Sequence, residues 1–171
     1  LPLGRYFVTE VSAPKYYQLS SEKMEAEIEY PNQIIKLASY NKAANLGVTI
    51  KKVGNYEVQP GQVMSYEFSG IGNTSNVALN SFYWHDRVPT DATRAVSMST
   101  GTYNQRMYYK VTFKTNLNDY RVLASNLLTT NNYSLSLNAT TLGLVQGEYI
   151  TDVRFEFGAV PNGFASVVKP T

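Results

Sequence analysis

The chain has 171 residues, a net charge of +2 and no cysteine. Disulfides and thiolate metal sites are therefore excluded, and a near-neutral charge without a basic run points away from nucleic acid. Charged residues are only 16% while tyrosine contributes 14 residues, a polar, uncharged and aromatic-rich composition that suits exposed β-sheet better than helix. At this length a compact chain buries roughly 70% of its unfolded surface, enough for a core without staples. No apolar run approaches the ~20 residues of a membrane-spanning helix, and no leader is recognised.

Arg5 to Val11 reads as a strand, stopped by Ser12-Ala13-Pro14, because proline offers no backbone donor and keeps its predecessor out of helix. Alternation puts Tyr6, Val8 and Glu10 on one face, and Phe7, Thr9 and Val11 on the other. Glu10 thus lies between large apolar neighbours and needs a partner or a raised pKa. Met24 to Tyr30 alternates strictly, with Glu25, Glu27 and Glu29 as a solvated row that discourages edge pairing. Three carboxylates on a flat strand do not converge on calcium. Pro31-Asn32-Gln33 turns the chain, and Ile34 to Tyr40 reads as a further strand ending at Asn41-Lys42. The opening Leu1-Pro2-Leu3-Gly4 lacks the threonine and hydrophobic tail of a sortase signal and reads as a loop.

Leu1, Gly4, Tyr6, Glu10, Ala13, Pro14, Tyr17 and Leu19, in that spacing, resemble the end of a collagen-adhesin B-type (prealbumin-like) domain. Such domains repeat in the stalks of Gram-positive surface adhesins and pili. The resemblance implies that Glu10 matches a glutamate that catalyses a spontaneous Lys–Asn isopeptide bond. It also implies that the last strand carries the asparagine, with Asn41 the best positional match and Asn45 a weaker one. A turn asparagine is the alternative for Asn41. The family's lysine strand is not in this chain, so Glu10 is expected to be buried as an orphan or to await a strand from another chain. About three or four strands are too few to close a sandwich, so residues 1–45 read as a partial domain.

A second unit begins at Leu46-Gly47. Val48 to Val53 is a strand, Gly54-Asn55 turns it, and Gln59-Pro60-Gly61-Gln62 has the order of a type II turn. Met64, Tyr66 and Phe68 mark the buried face of the next strand, and Gly70 to Asn76 reads as a polar loop without a phosphate motif. In Val77 to Asp86, Phe82, Trp84 and Asp86 share one face, with Leu79, Tyr83 and His85 on the other. Further on, Arg94–Met98, Arg106–Phe113, Tyr133–Leu137, Glu148–Phe157 and Phe164–Val168 alternate as strands. Met107, Tyr109, Val111 and Phe113 point inward, as do Tyr149, Val153, Phe155 and Phe157, with charges out. Asp119 to Leu128 is the one plausible helix, capped by Asn118 or Asp119. Strands every 8–12 residues with turn signals between them describe a β-sandwich.

From Tyr56 to Pro89, Gln59-Pro60-Gly61 and Asp86-Arg87-Val88-Pro89 resemble immunoglobulin-like repeats of bacterial surface proteins. A-type collagen-adhesin domains, which are similar to such sandwiches, join a first-strand lysine to a last-strand asparagine with help from a neighbouring aspartate. This resemblance implies Lys51 or Lys52 as donor and Asp86 as helper, and alternation with Val48 and Ile50 favours Lys52. No asparagine lies in the Tyr149–Phe157 strand and Asn162 sits in a turn, so the acceptor is expected past Thr171. An ordinary Lys52–Asp86 ion pair is the alternative.

Enzyme chemistry finds little support in the residues. His85 is the only histidine, and strand alternation sends it away from Asp86. No serine lies on a Gly-x-Ser-x-Gly turn, and carboxylate pairs of Asp86 with Glu67 or Glu148 are of a kind any acid-bearing sandwich offers. The sequence therefore predicts an all-β chain: an immunoglobulin-like antiparallel β-sandwich at 46–171, preceded by a partial prealbumin-like β unit at 1–45. The expected function is a non-catalytic structural or adhesive stalk segment of a Gram-positive cell-wall surface protein, with Glu10, Asn41, Lys52 and Asp86 as crosslink candidates. It would be extracellular, attached to the cell wall through parts of its parent outside this chain. Expected partners are a host or cell-surface protein or glycan and neighbouring domains. No cofactor, metal, nucleic acid or membrane segment is expected. The alternative is a carbohydrate-binding module stacking sugars on an exposed Trp84 or on Tyr16 and Tyr17.

Overall fold

The computed structural model describes residues 1–54 and 57–171. Asn55 of the expected turn and Tyr56, which opens the second resemblance, lie outside the described residues. The chain divides into two compact units, Leu1–Leu46 and Gly47–Thr171. Its regular structure among the described residues is β-strand paired antiparallel, with no helix.

The first unit is a hairpin of β1 (Gly4–Thr9) and β2 (Lys23–Ile28), in register from Gly4 opposite Ile28 to Thr9 opposite Lys23. Alternation on β2 is as the sequence dictates: Met24, Ala26 and Ile28 are half-buried, while Glu25 and Glu27 are exposed. Ion pairing of Arg5 with Glu25 at 2.7 Å, and Lys23 over the Phe7 ring at 4.0 Å, support the outer face. Ile34 to Tyr40, expected as a strand, is not one. Its apolar residues find neither a third strand nor a core, and Ile34 and Tyr40 remain 86% and 87% exposed. The expected three or four strands are therefore two, plus a bridge between Tyr17 and Ala43.

The second unit is a two-layer sandwich. One layer has the order β5 (Leu79–Arg87), β11 (Ile150–Val160), β8 (Tyr108–Thr115), β9 (Arg121–Leu128). The facing strands are β3 (Val48–Gly54), β4 (Tyr66–Asn73), β6 (Ser97–Ser99), β7 (Thr102–Tyr103), β10 (Ser134–Ser136) and β12 (Ser166–Val168). β3 pairs with β4, β6 with β10, and β7 with β12. The C-terminal segment joins these pairs into one layer. On one side the Asn73 and Phe68 amides donate to the Phe164 and Pro170 carbonyls, and on the other Ser99 and Thr171 exchange both backbone bonds. Two glycines permit this close approach. A Cβ at Gly72 would lie 2.7 Å from the Phe164 carbonyl oxygen, and one at Gly101, where φ is +65°, would overlap the Val168 carbonyl.

Aromatic rings fill the space between the layers. Trp84 stacks on Phe155 at 4.1 Å and meets Phe68 at 5.0 Å, while Tyr103 stacks on Phe164 at 5.2 Å. The inward rows expected on β5 and β8 are observed, with Phe82 and Trp84, and Tyr109, Val111 and Phe113, all buried.

Four further expectations are corrected. Asp119 to Leu128 is strand β9 and not a helix: Asp119 accepts from its neighbour Tyr120, and the open edge of β8 captures the segment. Gly70 to Asn73 continues β4, with Gly70 at φ +62° absorbing the distortion that the sequence suggests as a loop. Of Arg94 to Met98, only Ser97 and Met98 enter a strand. Charges on the β11 stretch do not all face out, because Glu148 and Asp152 are buried while Tyr149 is only half-buried. A register shift between Ile150 and Asp152 resets the alternation there.

Candidate functional site

Within the first unit, Glu10 follows the last residue of β1, at the point where the chain leaves the hairpin. The segments around Gln18 and Asn41 return beside it, held by Gln18 N–H to the Lys42 carbonyl at 2.7 Å and Ala44 N–H to the Tyr16 carbonyl at 2.8 Å. Asn41 Nδ2 donates to Glu10 Oε1 at 2.7 Å and to the Gln18 carbonyl at 3.3 Å, and the Ser20 amide donates to Glu10 Oε2 at 2.8 Å. Glu10 is therefore neither buried nor an orphan. Hydrogen bonds from Asn41 first, and then Ser20, hold its carboxyl below the usual glutamate range. The structure thus brings together a carboxylate and a carboxamide that lie 31 positions apart in the sequence. In this state the glutamate is the acceptor. To polarise the Asn41 carbonyl it would have to gain a proton, which an approaching ammonium could supply.

In the second unit, Lys52 and Asp86 meet at 2.5 Å, from β3 and β5, the edge strands of the two layers. Lys52 Nζ also lies 4.0 Å from the Tyr66 ring centroid and 5.5 Å from that of Phe68. Lysine is thereby held over two ring faces and against one carboxylate, with side chains 32% and 22% exposed for Lys52 and Asp86. Paired in this way the ammonium is not a nucleophile. It becomes one only after its proton passes to a base such as Asp86. Lys51 is exposed, and Asn162 stays in the turn after β11. The favoured lysine and the aspartate come together, and Asn162 remains apart from β11 and exposed.

The carboxylate pairs considered for hydrolysis do not form, because each acid faces a cation. Asp86 holds Lys52, Glu67 holds Lys169 at 2.6 Å, and Glu148 holds Arg121 at 2.6 Å. His85 faces Asp152 at 3.9 Å rather than Asp86. Trp84, offered as a sugar platform, is 5% exposed and stacked on Phe155, so it belongs to the core. Tyr16 and Tyr17 are exposed, and Lys15 Nζ stands 4.8 Å from the Tyr16 ring centroid.

Sequence reasoning missed the polar centre of the second unit. Glu148 accepts from the Thr115 hydroxyl at 2.7 Å, Asn118 Nδ2 at 2.9 Å and the Val145 amide at 3.1 Å, besides Arg121. The Thr115 and Asn118 bonds pull its carboxyl down to about 2. The available signal was Thr115-x-x-Asn118 followed by Arg121, donors clustered at one end of a hairpin.

Beside the Lys52–Asp86 pair the sandwich opens into a groove of about 1460 Å³. Tyr66, Phe68, Trp84, Met98, Leu137 and Val153 supply its apolar lining, and Thr171 stands at one end. Among the described residues no group of three or more His, Cys, Asp or Glu side chains could hold a metal ion, and no helix is long and apolar enough to cross a membrane. Comparison with family models, curated proteins and solved structures returns no match.

Proposed function

We propose that the chain is a non-catalytic structural or adhesive segment of an extracellular, cell-wall-attached surface protein of the Gram-positive adhesin and pilin type. Its first unit would be a partial prealbumin-like domain and its second an immunoglobulin-like one. Each would hold part of a lysine–carboxyl–carboxamide site. The observation that carries this reading is the Asn41–Glu10 hydrogen bond, which joins the two residues that the B-type resemblance assigns to a self-formed crosslink. The Lys52–Asp86 contact is a second, independent pair of the same chemistry.

In such a site a neutral lysine amine attacks the carboxamide carbon, an amide bond forms, and ammonia leaves with the protons relayed by the carboxyl group. Each bond lowers the mass by about 17 Da, the loss of one ammonia. Tandem mass spectrometry on the protein as its source cell makes it is the test. A branched peptide containing Asn41 or Lys52, with that mass deficit, is expected. Recovery of both residues only in linear peptides overturns the crosslinking, and turnover of a substrate that Asp86→Ala abolishes overturns the non-catalytic assignment.

A carbohydrate-binding function is favoured only by the exposure of Tyr16 and Tyr17, at 66% and 50%. Glycan-array binding lost in Tyr17→Ala would establish it in place of the stalk.

A further inference from the structure

The groove of the second unit has the form of a missing strand. Thr171 and Ser99 exchange both backbone hydrogen bonds, at 2.8 and 3.2 Å, and the Phe68 amide donates to the Pro170 carbonyl at 2.9 Å. The last residues of the chain are therefore flanked by β4 on one side and β6 on the other. In an antiparallel ladder, residues two apart present their N–H and C=O groups to the same side. Phe68 faces the C-terminal segment, so Tyr66 does too. Ser99 faces it as well, and so does Ser97, whose other neighbours agree: the Leu137 amide bonds the Val96 carbonyl, placing Ser97 opposite Ser136 with its polar groups turned from β10. Tyr66 and Ser97 thus line two sides of a slot that runs on from Thr171 and is one strand wide.

Beneath that slot lies the apolar lining of Trp84, Met98, Leu137 and Val153. The whole groove, bounded further by residues 57–65 and 92–96, holds about 1460 Å³, more than the ~300–1,000 Å³ typical of small-molecule pockets and room enough for a length of polypeptide. We propose that this slot receives one extended strand, continuing directly from Thr171 and hydrogen-bonded to Tyr66 of β4 and Ser97 of β6. Alternation fixes its register. Pro170 is fully buried, whereas Lys169 turns outward to Glu67 at 2.6 Å. The first, third and fifth residues after Thr171 therefore face the interior, and the first passes the Tyr66 ring against which Lys52 rests. Apolar side chains are required at those positions and polar ones between them. The inference goes beyond the stalk assignment and stands whether or not any crosslink forms.

The experiment appends Val-Thr-Val-Thr-Val-Lys to Thr171, and in a second variant the shifted Thr-Val-Thr-Val-Thr-Lys, which turns every apolar side chain outward. The in-register extension is expected to slow amide exchange at Tyr66 and Ser97 by about tenfold or more and to raise the melting midpoint of the second unit. The shifted extension is expected to do neither. Equal protection by both, or by neither, overturns the proposal. Protection of these amides by the free hexapeptide at micromolar concentration, with none from the appended one, overturns the continuing strand in favour of a strand supplied by a partner. Neither extension carries a carboxamide, so the result is independent of isopeptide chemistry.

Discussion

The two units differ in what they bury: the first has a hairpin and returning segments, the second a closed core. Residues 1–46 supply the first resemblance proposed from the sequence, yet no residue among them is fully buried. Gly47–Thr171 carries only loose motifs but encloses an aromatic and aliphatic core from Phe68 to Phe164. The contact of Glu10 with Asn41 needs only a hairpin and one returning segment. A core needs two layers. The first unit has hydrogen bonds without burial, the second burial with few assignable groups, and substitutions should separate these two kinds of order.

The largest effect is expected at Phe155, fully buried and stacked between Trp84 and Tyr109. Phe155→Ala should cost about 3–5 kcal/mol, read as a lowered denaturant midpoint of the second unit. Ile28→Ala, on a half-buried position of the first unit, should cost below about 1 kcal/mol. Comparable costs at the two sites would mean that the first unit has a core of its own.

Next comes acid sensitivity of the second unit. The Glu148 carboxyl is held at about 2 in the folded state, against an ordinary 4.5. Its folded pKa is lowered, so its contribution is fully present above about pH 4.5 and is lost as pH falls toward 2, where the unfolded chain binds the extra proton first. Melting midpoints across that range should fall steeply in the wild-type protein. Glu148→Gln should flatten the profile while lowering stability at neutral pH, because Arg121 and three hydrogen-bond donors lose their charged acceptor. An unchanged pH profile in the variant would assign the acid limb elsewhere.

Alternation made β2, β5 and β8 legible, because each has one face on a core or a hairpin partner and the side-chain period of a strand is fixed. The same rule failed where tertiary context decides. Asp119–Leu128 has helix-compatible residues and a capping acid, but the free edge of β8 supplies a ladder that local propensity does not foresee. Ile34–Tyr40 has strand-compatible residues and no available neighbour. At the candidate sites, resemblance names Glu10 with Asn41 and Lys52 with Asp86, and each pair meets within its own unit. Of the Glu148 centre only the clustered donors Thr115, Asn118 and Arg121 are legible, since their convergence with Val145 on the carboxylate depends on how β8, β9 and β11 meet.

A smaller effect is expected at Glu10. Asn41 and Ser20 both donate to its carboxylate, so Glu10→Gln keeps the size but removes the charge that strengthens both bonds. Amide exchange at Ser20 and at Ala44 should accelerate, with the midpoint of the second unit unchanged. Acceleration confined to Ser20 would show that the Asn41 contact does not hold the returning segment.

The smallest effect belongs to Lys52 and Asp86, the pair most suggestive of chemistry. Both side chains are partly exposed, so water screens their attraction, and holding two flexible chains in one geometry costs entropy. A double-mutant cycle with Lys52→Met and Asp86→Asn should give a coupling of about 0.2–1 kcal/mol at low salt, and less at high salt. The single Lys52→Met change also removes the ammonium from the Tyr66 and Phe68 rings, and the cycle cancels that contribution. A coupling well above this range would mean that the pair is more desolvated than an open groove permits. Repeating the cycle on the chain with the in-register extension then sharpens the comparison between units. A strand covering the groove excludes water from Lys52 and Asp86, so the coupling should rise, moving this pair from the open character of the first unit's site to that of a core contact.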